Sequence, residues 1–340
     1  MKTAPSLKWV QDQWLTWLQT NLIQGVGTQQ LVAALEEREV PSDMARAWVD
    51  SVSQSQAVQA LTRHTRPIRQ GHRYLQLRRH LNTLRAQSAS VREVSQLAAL
   101  DFFEDYYFEN RPVVIRGYAN HWPARQKWTP DFIKANYGNV SVNITDNRLS
   151  NPDYDMEHAK HTRVCTLGEF VDRVKSNNSG NDAYMVANNR AIENPDFAPI
   201  LRDVHYDPEM FNAARWMGCS AFWLGPEGTI TPTHHDTCNI LFVQLYGRKS
   251  FTLFSPLETD ILTGARSMYA DIDPENPDYI KHPNLRNVTQ RTATLDPGDA
   301  IFLPVGWWHH VRSLDVSISF AMTNFVVDNQ YDWYRPGEIR

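Results

Sequence analysis

After Glu93 the chain breaks into short β-prone runs closed by turn residues, and that punctuation leaves few folds open. Pro112-Val113-Val114-Ile115-Arg116-Gly117 has the apolar texture of a buried strand stopped by glycine. Val140-Ser141-Val142-Asn143-Ile144 alternates as a half-buried strand should. Ala183–Ala187, Cys219–Leu224, Ile240–Leu245, Ser250–Phe254, Ala300–Leu303 and Val316–Phe320 read as further strands. Turns such as Gly225-Pro226-Glu227-Gly228 and Asp296-Pro297-Gly298-Asp299 separate them. Many short strands with such turns predict a β-sandwich or barrel, not a parallel α/β sheet. The polar, proline-dotted stretch Pro256–Arg291 reads as an insertion between strands.

The first 92 residues have a different period. Leu7, Val10, Trp14, Trp17 and Leu18 recur at three- and four-residue steps, the spacing of an amphipathic helix whose tryptophan stripe is buried between helices. Gly25 and Gly27 end it, Thr28 opens a second helix, and Pro41-Ser42-Asp43 a third. A fourth is expected from Gly71 to Arg85. The segment Arg63–Arg92 holds eight arginines, three histidines and no acidic residue, a solvated or acid-paired face that could also attract phosphates or an acidic peptide. The expected division is a helical region, 1–92, for substrate recognition or dimerisation, and a mainly β catalytic domain, 93–340.

Bulk properties narrow the function classes. A net charge of −4 argues against a globally nucleic-acid-seeking surface. Three scattered cysteines, Cys165, Cys219 and Cys238, suit neither a disulfide framework nor a thiolate zinc site. No run of 18 apolar residues occurs, and the N-terminus lacks the apolar core of a signal peptide. A cytoplasmic setting without a membrane is the expectation.

The chemistry concentrates in Thr231-Pro232-Thr233-His234-His235-Asp236, Gly247-Arg248-Lys249 and Trp307-Trp308-His309-His310. Residues i and i+2 of a strand share a face, so His234 and Asp236 can converge, and a distant histidine can complete the set. Two imidazoles and one carboxylate suit non-haem iron(II) with open positions. A zinc hydrolase uses the same ligand types, so ligand identity alone leaves both metals open.

The wider pattern resembles the JmjC-type, cupin-like 2-oxoglutarate oxygenases, with the closest echo in the asparaginyl hydroxylase of hypoxia-inducible factor and bacterial cupin-like relatives. The resemblance rests on Asn110–Gly117, Asn120-His121-Trp122-Pro123, Trp128, Thr231–Lys249, Pro297–Pro304, Trp307-Trp308-His309 and Asn324-Phe325. It spans about residues 93–328 and implies a double-stranded β-helix (jelly-roll) core behind the helical region. It implies iron(II) on His234, Asp236 and His309, with 2-oxoglutarate and O2 as co-substrates. Lys249 would meet the distal carboxylate of 2-oxoglutarate as a point charge. Thr231 and Tyr184 would add hydroxyls, and Asn239 and Asn324 amide contacts. His235 and His310 should point away from the metal. One of Trp307 and Trp308 should wall the barrel mouth, while Trp223 is expected in the core and Cys238 as an inert thiol. The implied reaction hydroxylates a side-chain carbon of a protein or peptide while 2-oxoglutarate becomes succinate and CO2. The same chemistry on a small metabolite or RNA is the alternative, and a non-catalytic cupin-like binding module a third.

Overall fold

The structure, a computed structural model, describes residues 12–84, 90–176, 180–262 and 268–331. The chain divides into two compact units, 1–85 and 86–340. Leu7 and Val10 of the first expected helix lie outside the described residues.

The first unit is helical: α1 (Asp12–Ile23), α2 (Thr28–Glu36), α3 (Ser42–Ser53) and α4 (Gln56–Leu84). Leu18, Leu22, Leu31, Leu35, Trp48, Val49, Val52 and Val58 form its core, and the edge-to-face pair Trp14–Trp17 packs on it, partly buried. Gly25, at φ +86°, ends α1 in a conformation that costs glycine little. The helix expected from Gly71 instead starts at Gln56 and runs through Pro67. A proline costs a helix one hydrogen bond and some strain, and tertiary contacts outweigh that here. Val58 is buried against α1, and Thr65 and Arg69 donate to the Ile23 carbonyl.

The second unit carries twelve strands among the described residues: β1 (Arg92–Val94), β2 (Val113–Ile115), β3 (Ser141–Thr145), β4 (Thr162–Thr166), β5 (Ser220–Gly225), β6 (Ile230–His234), β7 (Ile240–Tyr246), β8 (Lys249–Phe254), β9 (Gln290–Leu295), β10 (Ala300–Leu303), β11 (Trp308–Ser313) and β12 (Ser317–Met322). A six-stranded sheet runs β1-β2-β10-β7-β12-β5 and a four-stranded sheet β6-β11-β8-β9. From β5 to β8 the chain changes sheet at every strand, and it does so again from β9 to β12. That alternation is a double-stranded β-helix, so the mainly β expectation holds. Its inner faces meet over Phe242, Phe251, Leu253, Leu295, Ile301 and Leu303. A larger core of Phe102, Trp122, Trp128, Phe197, Phe222 and Phe320 fills the other face of the large sheet.

The expected strand at Ala183–Ala187 is reduced to two isolated bridges, Thr145 with Tyr184 and Met185 with Leu224, before a 3-10 turn. β1, β4 and β9 were not expected from the pattern. β9 begins where the insertion was expected to end, and its alternating burial is cleaner than its Gln-Arg-Thr-Ala-Thr-Leu sequence suggests. Among the described residues no helix is long and apolar enough to cross a membrane.

Candidate metal centre and its cavity

Antiparallel pairing of β6 with β11 sets His234 directly opposite His309. Their rings lie 4.2 Å apart between centroids. Asp236, two residues beyond His234 and past the end of β6, brings Oδ2 to 3.3 Å from His309 Nε2 and 3.9 Å from His234 Nε2. One donor atom from each of the three falls within 4.8 Å of the others, a set able to hold one cation.

Backbone carbonyls prepare both imidazoles for that task. His234 Nδ1 lies 2.8 Å from the Pro232 carbonyl and His309 Nδ1 3.0 Å from that of Trp307. A carbonyl only accepts, so each Nδ1 carries the hydrogen and each Nε2 lone pair faces the cluster. Burial, helped by His309, holds the His234 imidazole at about 4, neutral at pH 7. Burial alone would raise the Asp236 carboxyl, but its place 3.3 Å from His309 Nε2 and 3.9 Å from His234 Nε2 outweighs that and holds it at about 2. A neutral His234 imidazole and an ionised Asp236 carboxylate are the protonation states in which those two side chains can bind a divalent metal.

The neighbouring histidines face elsewhere. His235 packs edge-on against Trp308 with centroids 4.6 Å apart. His310 sits on the opposite side of β11, with Nε2 3.4 Å from Glu275 Oε1. Arg312 donates to the same Glu275 carboxylate at 2.6 Å, so that acidic group already has a cation. Burial raises the Cys238 thiol to about 12, which keeps it protonated and a poor ligand.

The cluster opens into a cavity of about 630 Å³ whose lining includes Tyr184, Thr231 and Lys249. Gly247 turns the chain from β7 into β8, and β8 lies beside β11 with Leu253 opposite His309 and Lys249 opposite Ser313. Four residues of strand put the lysine about 13 Å along from the histidine level. Lys249 is 1% exposed, and its ammonium donates to the Tyr184 hydroxyl at 2.5 Å. The rings of Tyr184, Phe242 and Trp223 surround it at 5.1, 5.2 and 5.6 Å. Among the described residues no carboxylate pairs with it, and burial pulls it down to about 7. A lysine in such a wall is stabilised by an anion brought into the cavity.

The two expected amide contacts are not brought to this cavity. Asn239 donates to Asn329 at 3.0 Å and accepts from the Val305 backbone at 2.8 Å. Asn324 donates to the Asn212 carbonyl at 2.8 Å. Both asparagines are buried and tie loops together outside the lining. Neither Trp307 nor Trp308 lines the cavity: the first donates to the Asn110 carbonyl, the second to Thr259. Trp223, expected in the core, is part of the lining instead. The insertion supplies residues that no motif signalled. Tyr269 stacks on His234 with centroids 5.7 Å apart, and the Met268 carbonyl accepts from His235 N–H. Asp155 and His158 also line the cavity. A polar insertion after a strand gives no sequence sign of which residue will reach back to a ligand.

A double-stranded β-helix with a two-histidine, one-carboxylate cluster in its mouth is the cupin class of architecture. Residues 99–332 match the cupin-like domain family, and the chain belongs to it. It is similar to Lysine-specific demethylase JMJ30 of Arabidopsis thaliana, 30% identical over 71% of this chain and 57% of the relative. Lysine-specific demethylase 8 of Xenopus tropicalis is 29% identical over 66% of this chain and 50% of the relative. tRNA wybutosine-synthesizing protein 5 of Gallus gallus is 27% identical over 64% and 71%. The chain spans about half the length of the two demethylases it matches.

Proposed function

We propose that the protein is an iron(II)- and 2-oxoglutarate-dependent oxygenase that hydroxylates a side-chain carbon of a protein or peptide. His234, Asp236 and His309 hold the metal, and Lys249 receives the distal carboxylate of the co-substrate. The observation that carries the reading is the pairing, in one cavity, of a three-donor metal cluster with a buried ammonium lacking an anion. A zinc hydrolase needs the first and has no use for the second. A binding module without chemistry needs neither.

When bound, the metal and co-substrate supply oxygen activation coupled to decarboxylation, which yields succinate and CO2. The chain positions and protects. Pro232 and Trp307 carbonyls fix the ligand imidazoles, and Asp236 brings the negative charge that offsets the cation. Lys249 and the Tyr184 hydroxyl orient the diacid from its far end, with Thr231 beside them. Ile240, Phe242, Phe251, Leu303 and Val311 line an apolar wall that keeps water from the reacting centre. A methyl group on lysine nitrogen presents the same kind of C–H bond, and two relatives carry demethylase names. An RNA substrate is the second reading, favoured by similarity to a protein named for wybutosine synthesis in tRNA.

The test is succinate formation from 2-oxoglutarate with added iron(II). His234→Ala should lower it by at least about 100-fold. N-oxalylglycine with a divalent metal should raise the melting temperature, by about 2.7 kcal/mol of stability at a hundred times its Kd. Lys249→Ala should abolish that shift, and an unchanged shift in this variant would remove Lys249 from the co-substrate site. Mass spectrometry of candidate peptides for the mass of one added oxygen, beside an RNA arm, separates the substrate readings.

A further inference from the structure

α4 is 29 residues long, about 43 Å, and only its first half packs into the helical unit. Tyr74, Leu77, Leu81 and Leu84 follow three- and four-residue steps, so they share one face, and each is between 49 and 65% exposed. One to three turns earlier the same face carries Arg63, Arg66 and Arg73. No acidic residue occurs anywhere in the helix. Among the described residues none of these three arginines is paired with a carboxylate. Within the described helical unit, this face, basic in one half and leucine-bearing in the other, is unpartnered.

We infer that this face of α4 docks an acidic amphipathic segment of another protein, carboxylates meeting Arg63, Arg66 and Arg73 and apolar side chains covering Leu77, Leu81 and Leu84. Both chemistries have to be answered by one occupant. A phosphate backbone satisfies the arginines and leaves the leucines in water, because nucleic-acid backbones are read by charge and hydrogen bonding. A second copy of the same face sets arginines against arginines when parallel and leaves Arg63 and Arg66 unanswered when antiparallel, because the helix holds no carboxylate. An amphipathic helix rich in glutamate and leucine matches the whole length.

The experiment uses the full chain and three fluorescent probes: a helix-forming leucine/glutamate peptide, its leucine/lysine counterpart and an unmodified tRNA transcript. The glutamate peptide should bind, more weakly as salt rises, and the lysine peptide should not. Arg63→Gln/Arg66→Gln/Arg73→Gln and Leu77→Gln/Leu81→Gln/Leu84→Gln should each weaken binding by about tenfold, the charge set removing the salt dependence. The substituted side chains are exposed, so unchanged circular dichroism and melting temperature establish that both variants fold. Absence of glutamate-peptide binding at about 1 mM overturns the inference. So does tRNA binding that survives the leucine changes, or a dimer of the chain that those changes dissolve.

Discussion

An ammonium kept out of water without a counter-charge is unstable in its charged form, and Lys249 is held that way. Its pKa falls from 10.5 to about 7 in the folded protein, while the unfolded chain keeps the ordinary value. Between those two values the unfolded chain binds the extra proton, so stability rises with pH across that window. The penalty is complete below pH 7 and is on the order of 5 kcal/mol at most. Without co-substrate, Lys249→Met should therefore be more stable than the parent near pH 7, and the gap should narrow toward pH 10. Urea midpoints at pH 7 and 9.5 measure it; a gap independent of pH would mean that the lysine is solvated. Binding of a diacid reverses the sign, because the anion favours the charged form and Lys249 takes up a proton above pH 7. Affinity for N-oxalylglycine should fall as pH rises from 7 to 9, which calorimetry in buffers of different ionisation enthalpy reads directly.

At the scale of elements, the β7–β8 hairpin sets where that lysine starts. Gly247 sits at φ +65°, and a Cβ there would meet the Val316 carbonyl oxygen at 2.1 Å. Gly247→Ala should cost roughly 1–3 kcal/mol through backbone strain and shift Lys249 in register. The expected outcome is a lower urea midpoint together with a weaker N-oxalylglycine shift. A normal shift on a merely less stable protein would separate the turn from the site. The pairing of β6 with β11 matters in the same way: the register slips between His309 and Val311, and with that slip Thr231 and His234, three residues apart, both reach the cavity. Strand alternation alone would have sent one of them to the other face.

At the scale of the molecule, every residue assigned to the metal and the diacid lies in the second unit. A chain beginning at Ala86 should then fold and keep the N-oxalylglycine shift within a few degrees, and loss of the shift would bring the helical unit into the site. What could be read from the residues follows from local rules. Turn glycines and prolines, strand alternation and the His-x-Asp pair are short-range patterns, and they carried the β-rich scaffold and two candidate donors; the jelly-roll and His309, far along the chain, followed from the resemblance. Cavity membership is a long-range property, and the pattern failed there in physical terms. Asn239 and Asn324 stand near the right strands, yet Asn239 is held by Asn329 and the Val305 backbone and Asn324 by the Asn212 carbonyl, and neither lines the cavity. Trp307 and Trp308 flank a ligand, yet neither lines the cavity: the first packs into the inner-face core and the second against Phe254 and Leu262. Tyr269 reaches His234 from an insertion that no periodicity marks. The α4 boundary failed for a related reason, since Pro67 breaks the local preference and contacts with α1 restore the helix. The sequence by itself thus determined the strand-rich scaffold and put forward His234 and Asp236 as candidate metal donors, because both are written in neighbouring residues. The tertiary structure alone decided which side chains share the cavity and leave Lys249 without an anion, because burial and partnership are settled by parts of the chain far apart in order.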